Sequence, residues 1–159
     1  MIILGINTAT SHLSIALISG TKTLQERTYT GPTVKAEQLV PWIEGLLKKA
    51  RITPRTIQGI GVAQGPGAFT GLRIGVTTAK TLAQMLNIPL VGVSTLEALA
   101  YQFIEQKNDT LLRIILNACR GEVNTALFSI RAGSLKRLEE DHPEKESTLY
   151  EKIITEKSS

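Results

Sequence analysis

The chain has 159 residues, 42% of them hydrophobic and 20% charged, with a formal net charge of +4. That size fits one domain or two small ones, and the composition excludes a disordered, collagen-like or coiled-coil chain. One cysteine, Cys119, excludes an internal disulfide, and the longest apolar runs, residues 57–63 and 88–93, are too short for a membrane span.

The N-terminal run Met1-Ile2-Ile3-Leu4-Gly5-Ile6 has neither a basic leader nor a small-residue cleavage site. It reads as a strand, and the chain as a cytoplasmic protein without a membrane partner. After the turn Thr8-Ala9-Thr10-Ser11, residues 12–19 alternate Leu13, Ile15 and Leu17 with His12, Ser14 and Ala16, the period of a half-buried strand. Gly20-Thr21-Lys22 turns into a third strand over 23–29. Beyond Gly31-Pro32, the positions Leu39, Ile43, Leu46, Leu47 and Ala50 recur at helical spacing, with Pro41 tolerable near the first turn. A strand over 58–63 leads into Gly65-Pro66-Gly67-Ala68-Phe69-Thr70-Gly71, then a helix over 72–86 with Thr70 as its N-cap. A strand over 89–93 and a helix over 95–106, capped by Ser94, complete the first unit.

An internal repeat organises the rest. At an offset of 110 residues, Leu4-Gly5-Ile6-Asn7-Thr8-Ala9 falls on Ile114-Ile115-Leu116-Asn117-Ala118-Cys119, and Leu13, Ala16, Leu17 and Ser19 fall on Val123, Ala126, Leu127 and Ser129. Both copies read as a strand, a turn opened by Asn and an alternating strand. The fold predicted is therefore α/β with duplicated βββαβαβα lobes, the first over residues 1–107 and a shortened second over 108–159.

The glycine-rich stretch sits at a strand-to-helix junction, either as a purely structural turn or as a site where free N–H groups and the helix dipole hold an anion. It is neither a Walker loop, since Leu72 stands where Lys belongs, nor a dinucleotide fingerprint, since Thr70 replaces the third Gly. In the helix that follows, Gly71, Gly75, Ala79 and Ala83 recur every four residues, one face on which another backbone can come close. That neighbour is either the protein's own sheet or a partner helix. Asn7 and Asn117 supply neutral oxygens where a hairpin nucleotide site would place metal-binding carboxylates, which disfavours autonomous phosphoryl transfer. His12 and His142 have no carboxylate–histidine cluster around them, so no metal site is expected. The cations are dispersed and aromatics are few, so tight direct RNA binding is not expected either.

The stretches 1–10 and 65–75, with Gly92-Val93-Ser94-Thr95-Leu96 and Ala118-Cys119-Arg120-Gly121-Glu122-Val123, resemble the TsaB (YeaZ) family. This family serves tRNA threonylcarbamoyladenosine biosynthesis and is also filed as glycoprotease-like. The resemblance covers about residues 1–130 and implies the actin-like and sugar-kinase fold, related to ribonuclease H. It implies a non-catalytic scaffold without a cofactor, pairing with the catalytic TsaD subunit and joined by the ATPase TsaE, with tRNA reached through the complex and a homodimer as the alternative assembly. Partner contacts are then expected at Glu37, Leu39, Ile43, Leu46 and Leu47 of one helix. On the other they are expected at Gly71, Leu72, Arg73, Gly75, Ala79, Leu82 and Ala83, beside the loop of Gly65, Pro66, Gly67, Phe69 and Thr70. The chain departs from the family pattern at Asn7 and Asn117, where the family has Asp, at Asn124, where Tyr is usual, and at Lys35-Ala36, where His-Ser is usual. A small-molecule phosphotransferase is the rival reading; a protease has no nucleophile–base pair to support it.

Overall fold

The computed structural model describes residues 1–30, 36–106 and 109–156, which form two compact units, Met1–Thr95 and Leu96–Ser159. In the first unit β1 (Ile2–Asn7), β2 (His12–Ser19) and β3 (Lys22–Thr30) run as antiparallel neighbours, as the alternation predicts. After α1 (Ala36–Ala50) and a 3₁₀ turn at Pro54–Thr56, β4 (Gly59–Gly65) joins β1 in parallel. The long helix α2 (Phe69–Leu86) then crosses back to β5 (Leu90–Ser94), parallel to β4, giving the sheet order β3-β2-β1-β4-β5.

One face of this sheet carries Leu4, Ile6, Leu13, Ile15, Leu17, Ile60 and Val62, and α1 and α2 close over it in a single core. The opposite face of the same strands bears the small Gly5, Ala16 and Gly61. Pro41 lies in the second turn of α1 rather than the first, on the exposed side. α2 ends on Asn87 in the left-handed region (φ 53°), whose N–H, with that of Ile88, bonds to the last carbonyls.

The second unit opens with α3 (Thr95–Tyr101), shorter than the helix predicted to Gln106, because residues 102–106 continue as isolated turns. Its Leu96 and Ala100 pack with Ile114, Ala126 and Phe128, so α3 shares its core with the second unit rather than the first lobe. β6 (Thr110–Cys119) and β7 (Glu122–Arg131) form the second hairpin, flanked by β8 (Ser134–Arg137) and β9 (His142–Lys145), before α4 (Glu146–Glu156).

The repeat extends into detail. β2 and β3 slip register between Leu17 and Ile18. At the equivalent Leu127, the outer strand breaks into β8 and β9, and the N–H groups of Leu138 and Glu139 converge on the Leu127 carbonyl. The two irregularities occupy one place in the duplicated unit.

Arg113 of β6 donates two hydrogen bonds to Glu139, at 2.8 and 3.2 Å. Those bonds hold the Glu139 carboxyl below the ordinary carboxylate range, against the opposing pull of burial. A group lowered in the folded state stabilises above its unfolded value and loses that contribution as pH falls through the folded one. Glu139→Gln should therefore lower the melting temperature at neutral pH and converge with wild type at strongly acid pH, measured by thermal unfolding across the acid range.

Candidate functional site

The β1–β2 turn and the N-terminal turns of α2 meet at closer range than side chains permit. The Thr8 hydroxyl, fully buried, donates 2.7 Å to the Gly71 carbonyl, and the Ala68 N–H donates 2.7 Å to the Ala9 carbonyl. A Cβ on Gly67 would overlap the Ala9 carbonyl, one on Gly71 the Thr8 carbonyl, and one on Gly75 the Thr8 hydroxyl. The glycines are thus explained by the protein's own turn. The Ala68 N–H at the start of α2 is also occupied by the protein itself, which leaves the anion cradle without that donor.

α2 starts at Phe69, with Ala68 at the N-cap and no side-chain cap, so Thr70 is not the cap that its position suggested. The backbone bond from Ala68 to Ala9 sets the helix start, and Thr70 lies exposed one residue inside it.

The four-residue stripe resolves toward the interior. Gly71, Gly75, Ala79 and Ala83 are all buried, Ala79 and Ala83 within the core under the sheet. On α1, Leu39, Ile43, Leu46 and Leu47 are buried in the same core. These eight positions were expected to touch a partner. In the folded unit they hold α1 and α2 on the sheet, because small or apolar residues at helical spacing are what an amphipathic helix turns inward. Leu72 and Leu82 are half-buried, and only Arg73 of the expected α2 set is exposed. Glu37 lies outside the residues whose side chains are described. Of the loop, Gly65 and Pro66 are half-buried and Gly67 is exposed.

The exposed side of α2 is the feature that the stripe obscured. Phe69, 73% exposed, and Met85, 77% exposed, mark its two ends. Between them an open groove of about 430 Å³ is lined by Thr70, Arg73, Ile74, Thr77 and Thr78. The Arg73 guanidinium sits 5.4 Å from the Phe69 ring centroid. Helical spacing could have found it: residues 69, 73, 77, 80 and 84 lie opposite the glycine stripe. On α1, Val40, Pro41 and Glu44 face outward.

Asn7 and Asn117 have equivalent roles. The Asn7 Oδ1 accepts from the Ala9 N–H at 3.0 Å, and the Asn117 Oδ1 from the Cys119 N–H at 2.6 Å. Each closes its turn two residues on, as short Asx side chains do. Among the described residues no three His, Cys, Asp or Glu side chains gather to hold a metal, and no helix is long and apolar enough to cross a membrane.

The glycine contacts differ in what can relieve them. Gly71 faces a backbone carbonyl, whereas Gly75 faces a hydroxyl that can be removed. We expect Gly71→Ala and Gly75→Ala each to destabilise by about 1–3 kcal/mol in denaturant unfolding. In a Thr8→Ala background the penalty at Gly75 should shrink, while that at Gly71 should persist, a double-mutant signature of these contacts.

The family model described as TsaD, tRNA N6-adenosine threonylcarbamoyltransferase, matches residues 34–149. Over 141 residues the chain is 38% identical to the tRNA threonylcarbamoyladenosine biosynthesis protein TsaB of Bacillus subtilis, covering 89% of this chain and 61% of that protein. YeaZ from Pseudomonas aeruginosa superposes with a TM-score of 0.81 at 25% identity, covering 89% of this chain and 66% of that one. The ROK hexokinase from Thermus thermophilus, with a TM-score of 0.50 and 14% identity, covers 85% and 47% of the two chains and shares the fold alone. The chain thus spans about 61% of the length of the Bacillus subtilis relative. Its hairpin-led α/β units have the actin-like, sugar-kinase fold, and the chain belongs to the TsaB (YeaZ) family.

Proposed function

We propose that this chain acts in tRNA threonylcarbamoyladenosine biosynthesis as a non-catalytic subunit that docks a TsaD-type threonylcarbamoyltransferase. The observation that carries the reading is the use made of Asn7 and Asn117. A kinase of this fold needs carboxylates at the hairpin turns to hold a hard divalent cation, and here both positions are amides tied to their own backbone. Family membership supplies the process, and the outward side of α2 supplies a surface. A TsaE-type ATPase and the tRNA then belong to the assembled complex rather than to direct grips on this chain.

Docking would use Phe69 and the groove residues of α2 together with the outward side of α1. An exposed aromatic beside an arginine is the kind of pair that carries binding energy out of proportion to its area. Phe69→Ala should weaken the complex with the TsaD-type subunit by about tenfold or more, read by calorimetric titration, with the melting temperature unchanged. Leu39→Ala should do the reverse, lowering stability by about 2–5 kcal/mol because it empties a core position. Co-purification of the two subunits, with no magnesium-dependent ATP turnover by this chain alone, is the outcome expected. Robust turnover that survives repurification and is lost on changing Asn7 would instead favour a phosphotransferase.

A further inference from the structure

Charge divides unequally between the two units. Met1–Thr95 holds nine Lys and Arg against three Glu, whereas Leu96–Ser159 holds nine against eleven Asp and Glu. The excess also goes unpaired. None of the described lysines and arginines of the first unit is ion-paired, while Arg113, Arg131, Arg137 and Lys152 of the second each have a carboxylate.

The fold gathers five of these cations at the end of the first sheet opposite the Thr8 turn. β1 begins there at Ile2 and β4 beside it at Gly59, while Ser19 at the end of β2 pairs with both Ile2 and Lys22. The segment between α1 and β4 closes onto the same end. The Gln58 N–H donates 2.8 Å to the Ile2 carbonyl, and the Ile2 N–H donates 2.9 Å to the Gln58 Oε1. Lys22, Lys48 and Lys49 in the last turn of α1, and Arg51 and Arg55 beyond it therefore share this end, and all five are exposed. Lys48 and Lys49 also complement the carbonyl end of α1, a role that Lys22 and Arg55 do not share. No Asp or Glu lies in residues 1–25 or 45–96, and Glu44, one turn before Lys48, is the nearest in sequence. A positive surface without carboxylates attracts a polyanion. Residues 20–22 and 48–58 contain no aromatic side chain on which a base could stack, and their Ile52 and Ile57 are half-buried and buried. Contact here is to charge alone, which suits the sugar-phosphate backbone of RNA. An acidic protein would need an apolar centre to its interface, and these segments present none.

We infer that this end of the first unit holds RNA phosphates in the assembled complex, with Lys22, Arg51 and Arg55 as contacts outside the docking helices. The inference rests on the proposed role in tRNA threonylcarbamoyladenosine biosynthesis and places part of the RNA backbone on this chain. The contact is auxiliary. A few cations without base stacking give weak, salt-sensitive binding by the lone chain, and the complex supplies the remainder. Cations dispersed along the sequence act together because the fold brings their segments to one end.

The test uses the full chain in complex with the TsaD-type subunit of the same organism, and an unmodified tRNA transcript as the probe. Fluorescence anisotropy gives the affinity across a salt series. The triple variant Lys22→Gln, Arg51→Gln, Arg55→Gln should bind the transcript about tenfold or more weakly, with a log–log salt slope shallower by about two to three. The charge-retaining triple Lys22→Arg, Arg51→Lys, Arg55→Lys should bind as wild type does. Arg120→Gln, Lys136→Gln, Lys145→Gln removes equal charge from exposed positions of the second unit and should leave affinity unchanged. Thermal melting and affinity for the TsaD-type subunit should match wild type in every variant, since the residues are exposed and off the docking helices. If the glutamine triple keeps wild-type affinity and salt slope, or the second-unit triple weakens binding equally, the inference fails while the proposed function stands. A glutamine triple that no longer pairs with the TsaD-type subunit assigns this end to an acidic protein instead and overturns it as well. If wild type fails to bind the TsaD-type subunit at all, the proposed function falls and takes the inference with it.

Discussion

The fold of the first unit depends on the distance between one turn and one helix. Thr8 and Ala9, at the end of β1, press into the first two turns of α2, and only hydrogen atoms fit at Gly67, Gly71 and Gly75. Two hydrogen bonds, from the Thr8 hydroxyl and the Ala68 N–H, hold the approach. Because the inward side of α2 is filled by glycine and alanine, its bulkier and charged side chains stand on the flanks and the outer side. The same constraint that fixes α2 on the sheet therefore composes the surface it presents. An interior glycine loses about 1 kcal/mol to alanine in helix propensity, and here that loss is offset by contact with the sheet.

Duplication carries the logic into the second unit, with differences. Asn117 closes its turn as Asn7 does, and the outer strand breaks at Leu127, where the first unit has its register slip at Leu17. The neighbours of the first strand differ. β1 has β2 on one side and β4 in parallel on the other, whereas β6 has β7 alone among the described residues, with Leu111 and Ile115 exposed. Ion pairs carry more of the local structure here: Arg113 with Glu139, and Arg137 with both Glu97 and Asp141.

Periodicity made most elements legible. The alternation at residues 12–19, the turn at Gly20 and the apolar spacing of α1 each dictate one local solution, and the repeat transferred that reading to β6 and β7. The helix start was not legible, because the Ala68-to-Ala9 bond that sets it spans most of the unit in sequence. Nor was the direction of the glycine stripe. Small residues at i, i+4 permit close approach without saying to what, and the answer lay in Thr8, a residue the sequence marked only as part of a turn. Leu39, Ile43, Leu46 and Leu47, expected at a partner, fill the unit's own core, while Arg73 and Phe69 of the same expected set stand exposed. A short Asx turn explains Asn at positions 7 and 117, but the sequence showed only that charge was missing there.

The inner side of α2 belongs to the fold, and its outer side is the proposed docking surface. Hydrogen exchange of the full chain, followed by mass spectrometry with and without the TsaD-type subunit, tests that division most directly. Slowed exchange confined to α2 and the adjoining turns of α1, with β6 to β9 unchanged, is the result the account predicts. Protection centred on the second unit, or none anywhere in a mixture shown to form a complex, would contradict it.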